Sequence, residues 1–383
     1  MIAKRGSLFL SVLFLFTLSS IVFPQISFRN TVHIPDILGY KTLKCDFHVH
    51  TVFSDGDVWP AFRIEEAWHD GLDAIALTDH LEYQPHKNEI PSDHNKPYQI
   101  AIGKAKELGV TLIQGSEITR GMPPGHLNLL FVKDGNALVK DDWKETIAEA
   151  KNQNAILFWN HPSWVSQQPD GIARWYSEHD YILNSGIMFG LEIVNGDVYS
   201  PETHNWCIEK NLTVLGNSDT HAPIQFEWEA DQYKHRPITL VFAKDNSPES
   251  IKEALLDRRT CVYSRNELIG DEKYLREIFN KSVSISSNKI SSVGRSKKNI
   301  QITNNSDIPY ALKLVKEHEQ IQFPDKLTLL PGKTILFSVR ARKDDCKISE
   351  NIKVEYEINN LIVAPNKKLI FPIELDINIV PKG

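Results

Sequence analysis

Thiol chemistry is nearly absent from this chain. Its 383 residues include four cysteines, Cys45, Cys207, Cys261 and Cys346, widely scattered and with no C-x-x-C pair. That spacing excludes a thiolate zinc cluster and a disulfide framework. Cys45 and Cys261 lie in apolar, strand-like stretches and read as buried thiols. An excess of one charge sign is also missing: 43 Lys and Arg stand against 49 Asp and Glu, a formal net charge of −6. No long nucleic acid is therefore expected to bind through bulk charge. There is no low-complexity linker and no internal repeat beyond an alternation of strand and helix patterns. With 41% hydrophobic and 24% charged residues, wholesale disorder, collagen and a multi-span membrane protein are excluded as well.

The long apolar run stands at the start. Lys4 and Arg5 precede a stretch from Leu8 to Phe23 broken only by Ser and Thr, the order of a basic n-region and an apolar h-region. Residues 1–25 are expected to be a signal peptide, cut between Ser20 and Ser27, and the protein to be secreted or periplasmic. The run is short for a full span, so stable membrane insertion is expected only if this segment is retained.

Between residues 41 and 279 short apolar runs alternate with amphipathic stretches, the pattern of repeated βα units. Strands are expected at Leu43–Val49, Asp73–Leu77, Thr111–Ser116, Ala155–Trp159, Gly190–Val194, Thr213–Gly216 and Ile238–Phe242. Seven such units suggest an α/β closed barrel. The clearest helix is Asp141–Asn152, with Trp143, Ile147 and Ala150 at helical spacing, and Ser247-Pro248-Glu249 opens another. From 281 to 383 short alternating runs separated by Asn, Asp, Pro and Gly read as a β-sandwich-like domain.

Histidine is what the chain does have: 14 of them, placed with acidic residues at the C-terminal ends of the expected strands. Asp46-Phe47-His48-Val49-His50 ends the first, and residues two apart in an extended chain point to one side, so His48 and His50 can grip one ion. Asp55 follows in a sharp turn. Later strands end in Thr78-Asp79-His80, Gly115-Ser116-Glu117, Asn160-His161-Pro162 and Asp219-Thr220-His221, while His126 precedes a further apolar run, Leu127–Val132. Strand ends of an α/β barrel converge on one face. Imidazoles and carboxylates without thiolates suit two to three divalent ions, Zn, Mn or Fe.

These motifs, in this order, resemble the PHP (polymerase and histidinol phosphatase) family of metal-dependent phosphoesterases. The resemblance implies a distorted (βα)7 barrel with up to three metal ions. By it, His48, His50, Glu117 and Asp219 would hold the first ion. Glu117 would bridge to a second held by His126 and His161, and Asp55, His80 and His221 would hold the third. The order of signal peptide, barrel and β domain further resembles a secreted bacterial phosphodiesterase branch that includes enzymes cleaving organophosphate diesters. An amidohydrolase-type barrel also begins with H-x-H, but no bridging lysine stands at a strand end here.

The expected chemistry is hydrolysis of a small phosphoester, preferably a diester, by metal-activated hydroxide, with no side-chain nucleophile. His80 and His221 are candidate proton donors, and Asp79 a carboxylate that fixes a histidine tautomer. Arg120 and Arg63 are candidate phosphate-binding cations. Trp59, Trp164, Trp175 and Tyr199 are candidates for a leaving-group wall. The rival readings are a phosphomonoesterase acting on a sugar phosphate or nucleotide, and an envelope binding module.

Overall fold

A computed structural model describes residues 28–228 and 235–383. The expected export segment, residues 1–25, lies outside the described residues. Among the described residues no helix is long and apolar enough to cross a membrane.

Seven strands form a ring. β1 (Lys41–Asp46), β2 (Ala74–Leu77) and β3 (Thr111–Ile118) run parallel, with α1 (Pro60–His69) and α2 (Lys96–Leu108) as crossovers. β4 (Leu127–Leu130) reverses direction and pairs antiparallel with β3 and, beyond α3 (Trp143–Asn152), with β5 (Ile156–Trp159). After α4 (Ser177–Asn184), β6 (Met188–Asn195) returns parallel to β5. Then come the short β7 (Val198–Tyr199), α5 (Pro201–Lys210) and β8 (Thr213–Asn217), which is parallel to β6. The ring closes where the chain beyond β8 meets the chain beyond β1. There the Asp219 N–H donates to the His48 carbonyl at 2.9 Å and the His50 N–H to the Thr220 carbonyl at 3.1 Å. Closure thus happens at the residues that carry the histidine motifs.

Local sequence explains the crossovers. The side chains of Asp142, Ser200 and Ser247 accept the backbone N–H groups of Lys144, Thr203 and Ser250, which satisfies helix-start donors. Pro201 and Pro248 occupy the first helical position, where no N–H is needed.

After the one-turn α6 (Ile224–Glu227), β9 (Ile238–Ala243) runs antiparallel to β1 along Lys41–Cys45. The strand expected at Ile238–Phe242 is thus present but antiparallel to β1, and β4 is a strand that the expected set of seven did not include. All four residues of β4 are buried, so no alternation marks it, and its reversed direction breaks the βα rhythm. The Thr239 hydroxyl ties β9 to the ring, accepting from the Gly216 N–H at 3.0 Å and donating to the Gly216 carbonyl at 2.9 Å. Gly216 also lies against Val262 of the strand that follows, where a Cβ would stand 2.3 Å from Cγ1.

The chain continues through α7 (Pro248–Leu256), β10 (Thr260–Ser264), β11 (Glu267–Gly270) and α8 (Glu272–Ser282) into nine further strands. β12 (Val283–Ile285), β13 (Lys289–Val293), β14 (Lys298–Asn304), β15 (Tyr310–Leu314) and β16 (Ile321–Gln322) are followed by β17 (Lys326–Leu329), β18 (Thr334–Ala341), β19 (Ile348–Ala364) and β20 (Lys367–Val380). One layer runs β12-β14-β18-β16 and the other β13-β20-β19-β15-β17. In β20 buried Leu369, Ile373, Leu375, Ile377 and Ile379 face the core between exposed neighbours. The far end of β19 pairs parallel with β11, Leu361 beside Leu268 and Ile362 beside Ile269. All four cysteines are free and buried.

The apolar core is continuous from barrel residues such as Ile75 and Leu240 to Ile300 and Tyr356 of the strand-rich part. Phe279 on α8 sits at the joint, its ring 5.0 Å from that of Tyr310 and 4.8 Å from that of Phe371. Truncating it, Phe279→Ala, is expected to cost about 3–5 kcal/mol and to lower the midpoint of a single cooperative transition in scanning calorimetry. Two separate transitions, with only one of them shifted, would contradict a shared core.

Candidate metal centre

Two residues beyond β1 the chain is still extended, so His48 and His50 project to the same side. Both are fully buried. Their Nε2 atoms stand 3.0 Å apart, and each is within 3.0–3.3 Å of Glu117 Oε2 from β3 and Asp219 Oδ1 from beyond β8. Metal–ligand bonds of about 2.0–2.2 Å place tetrahedral ligands about 3.3–3.6 Å apart, close to these separations.

The other nitrogen of each imidazole is already spoken for. His48 Nδ1 is 2.9 Å from Glu192 Oε1, and an ionised carboxylate can only accept, so Nδ1 carries the proton and Nε2 presents a lone pair. His50 Nδ1 donates to Ser54 Oγ at 3.3 Å, and the Ser54 hydroxyl donates to Asp79 Oδ1 at 2.7 Å. The carboxylate expected to set a histidine tautomer therefore acts through a serine. It also accepts the Thr51 N–H and hydroxyl, which folds the turn carrying Asp55. Gly56 lets that turn pack on the His50 backbone, where a Cβ would come within 2.8 Å.

Two further groups adjoin the first. Glu117 Oε1 is 2.8 Å from His126 Nδ1 and 3.9 Å from His161 Nε2, and His161 Nε2 is 3.9 Å from Asp219 Oδ2. Asp55 Oδ1 lies 3.3 Å from His80 Nε2 and 3.3 Å from His221 Nε2. His221 Nδ1 donates to the Asp219 carbonyl at 2.7 Å, so its Nε2 also offers a lone pair. All nine residues singled out by their sequence positions thus come together. Ligand atoms within 4.8 Å of one another group as His48, His50 and Glu117; His80, Glu117 and His126; His48, His161 and Asp219; and His50, Asp55, His80 and His221.

The donors fit divalent cations on an internal observation. Asp55 Oδ1, Glu117 Oε1 and His126 Nδ1 are buried and, though close to one another's groups, make no well-aligned hydrogen bond, which natural proteins rarely allow unless an ion or water completes the set. The backbone is also strained at two of these positions, with φ of +29° at His161 and +55° at Asp219.

Electrostatics point the same way. Burial opposes charge on Glu117, yet the facing imidazoles of His80 and His48 hold it well below the usual carboxylate range. Asp219 is likewise held down, against its burial, by His48 and His50. Burial disfavours the imidazolium of His48, but Asp219, Glu192 and Glu117 raise its pKa well above normal. His80 is raised to about 10 by Glu117 and Asp55 despite burial, and His221 is raised by Asp55 and Asp219.

The two expected phosphate-binding arginines do not face a substrate. Arg63 is fully buried; it donates to the carbonyls of His50, Ala222 and His221 and pairs with Glu66 at 2.8 Å. It locks the post-β1 segment to the segment beyond β8. Arg120 is committed to Glu82 at 2.9 Å and to the Lys140 carbonyl at 2.9 Å. Trp164 does stand at the site, its ring 5.1 Å from His161 and 5.5 Å from His126, and Trp59 is exposed beside Phe53. Trp175 packs instead against Trp159 and His179, and the Tyr199 hydroxyl is bonded to His204.

Two contributors went unrecognised. Glu192 lies within a strand of eight residues, seven of them buried; besides His48 it accepts the His161 N–H at 2.8 Å and Asn217 Nδ2 at 2.9 Å. A lone acid in the run Leu191-Glu192-Ile193 was the available signal. His179, which burial lowers to about 4, receives the Tyr176 N–H at Nδ1 and donates from Nε2 to the Pro124 carbonyl at 2.8 Å. It anchors the loop that presents His126.

A PHP domain profile matches residues 46–161, and an Ig-like domain profile matches residues 283–374. The structure is similar to that of a two-domain protein from Bacteroides vulgatus containing a predicted PHP-like metal-dependent phosphoesterase. The two share 44% identity, with 91% of this chain and 99% of the other covered and a TM-score of 0.86. An uncharacterised protein of Methanocaldococcus jannaschii is 29% identical over 194 residues, 47% of this chain and 83% of that one. The chain belongs to the PHP family of metal-dependent phosphoesterases and carries a C-terminal Ig-like domain.

Glu192→Gln keeps the shape of the side chain but removes the charge that holds the proton on His48 Nδ1. Metal affinity, measured by titration against a competing chelator, is expected to fall about 10- to 100-fold; unchanged affinity would contradict the role. Because the pKa of His80 is raised to about 10 and that of His48 well above normal, these groups carry protons at pH 7 in metal-free protein, and metal must displace them. Affinity should therefore rise with pH, and calorimetric loading at pH 7 in buffers of different ionisation enthalpy should show net proton release. Loading without proton release would contradict this ordering of charges.

Proposed function

We propose that this chain hydrolyses phosphodiesters. The observation that carries the reading is the division of Glu117: Oε2 faces His48, His50 and His80, while Oε1 faces His126 and His161. One carboxylate shared by two donor sets supports a pair of adjacent cation positions, and the Asp55, His80 and His221 group adds a third. Divalent ions held there supply Lewis acidity toward phosphoryl oxygens and water acidified to a nucleophile near neutral pH.

The protein's own part is to hold and to exclude. Glu192 and the Ser54–Asp79 pair fix both imidazoles of the post-β1 segment, Asn195 Nδ2 reaches Asp219 Oδ2 at 3.2 Å, and Trp164 shields the His126 and His161 side from water. Both ring nitrogens of His80 and of His221 are engaged, so neither has an N–H free for a leaving group, and we assign no side-chain proton donor. With Arg63 and Arg120 spent on protein partners, the guanidinium clamp that suits a phosphate dianion is missing among the residues first considered for it. That supports a monoanionic diester over a monoester. The basic-then-apolar segment from Lys4 to Phe23 supports a secreted or periplasmic setting.

Chelation should abolish hydrolysis of bis(p-nitrophenyl) phosphate, and restored divalent metal should return it. Glu117→Ala should reduce turnover to background, whereas Arg120→Ala should change kcat/KM by less than about tenfold, roughly 1.4 kcal/mol in barrier height. Faster turnover of p-nitrophenyl phosphate than of the diester would favour a monoesterase. No turnover of either by metal-loaded protein would favour a binding module.

A further inference from the structure

Beside the His161 donor the surface is apolar in a way the metal chemistry does not require. Pro162, Trp164, Val165, Ile193 and Val198 line a pocket that opens directly onto His161. Three of these walls are exposed, Trp164 at 42%, Val165 at 63% and Val198 at 57%, although hydrophobic side chains at such positions gain nothing from water. Several of the pocket's polar side chains are already engaged with one another. Asn195 donates to Glu192 and Asp219, the Ser200 hydroxyl is paired with that of Thr203, and Glu192 is fully used by His48, His161 and Asn217. The neighbouring arginines are occupied too: Arg174 is paired with Asp170, and Arg265 donates to the Asp197 carbonyl beside Val198. A sugar or a second phosphate entering here would lose hydration against a mostly apolar lining with no free cation among its residues. A flat apolar group would find the Trp164 face and two valines.

We propose that this pocket takes an uncharged apolar substituent of the substrate, an aryl or branched alkyl group on the phosphorus side facing His161. The inference rests on the phosphoesterase reading and narrows its substrate to diesters with at least one such group. Trp164 then has two contacts at once, the imidazoles of His126 and His161 on one side and the substituent on the other, so that filling the pocket also excludes water from that half of the centre.

The test is direct binding, measured by calorimetry on metal-loaded full-length protein. The ligands are methyl phenylphosphonate and methyl methylphosphonate, monoanions that differ only in the carbon group on phosphorus. The phenyl ligand is expected to bind at least about tenfold more tightly, in line with the discrimination that apolar pockets achieve. In Trp164→Ala, and separately in Val198→Asp, that ratio should fall toward one. Val198 is exposed, so its replacement keeps the test alive if Trp164→Ala loses metal, and metal content with melting temperature checks both variants. Equal affinities in the unaltered protein, or a ratio that survives both substitutions, would overturn the proposal. So would failure of both phosphonates to bind protein that still hydrolyses bis(p-nitrophenyl) phosphate. Absence of hydrolysis of any ester would instead overturn the phosphoesterase reading, and this pocket assignment with it.

Discussion

Two buried imidazole nitrogens, His48 Nε2 and His50 Nε2, stand 3.0 Å apart and each lies within 3.0–3.3 Å of two carboxylate oxygens, Glu117 Oε2 and Asp219 Oδ1. Lone pairs and negative charge packed this closely in a water-excluded place repel unless a positive charge stands among them. The surrounding structure makes the arrangement stable from outside. Glu192 and Ser54 take the far nitrogens of the imidazoles, and Arg63 ties together the backbone on which His50 and His221 ride. The raised histidine pKa values express the same demand, since without a metal the carboxylates must draw protons instead.

Ring closure and site assembly are the same event in this fold. The hydrogen bonds that join the chain beyond β1 to the chain beyond β8 belong to His48, His50, Asp219 and Thr220 themselves. The metal ligands therefore sit on backbone that the barrel cannot release without opening, which is the rigidity a preorganised centre needs. The Ig-like part lies away from these residues in sequence and joins through β11, β19 and the Phe279 cluster.

The ligands were legible because most are polar residues where a barrel strand ends, and because their repetition in unit after unit is hard to explain by packing. The strand-rich domain was legible from its alternation. What escaped reading follows from physics that leaves little mark in one dimension. β4 is buried on both faces and has no period; Glu192 is a single acid inside an apolar strand whose histidine partners are 31 and 144 residues away. Arg63 and Arg120 illustrate the reverse error. A guanidinium near a motif in sequence serves equally well to hold backbone carbonyls and carboxylates, and its partners in the fold distinguish that from phosphate binding.

The central claim is that these donors hold divalent cations together, with Glu117 between two of them. Anomalous diffraction from crystals grown with manganese or zinc, recorded at the metal edge, tests it without reference to turnover. The account predicts one peak among His48, His50, Glu117 and Asp219, and a second between Glu117 Oε1, His126 and His161. Crystals that carry the metal elsewhere on the protein, with no peak touching Glu117, would contradict it.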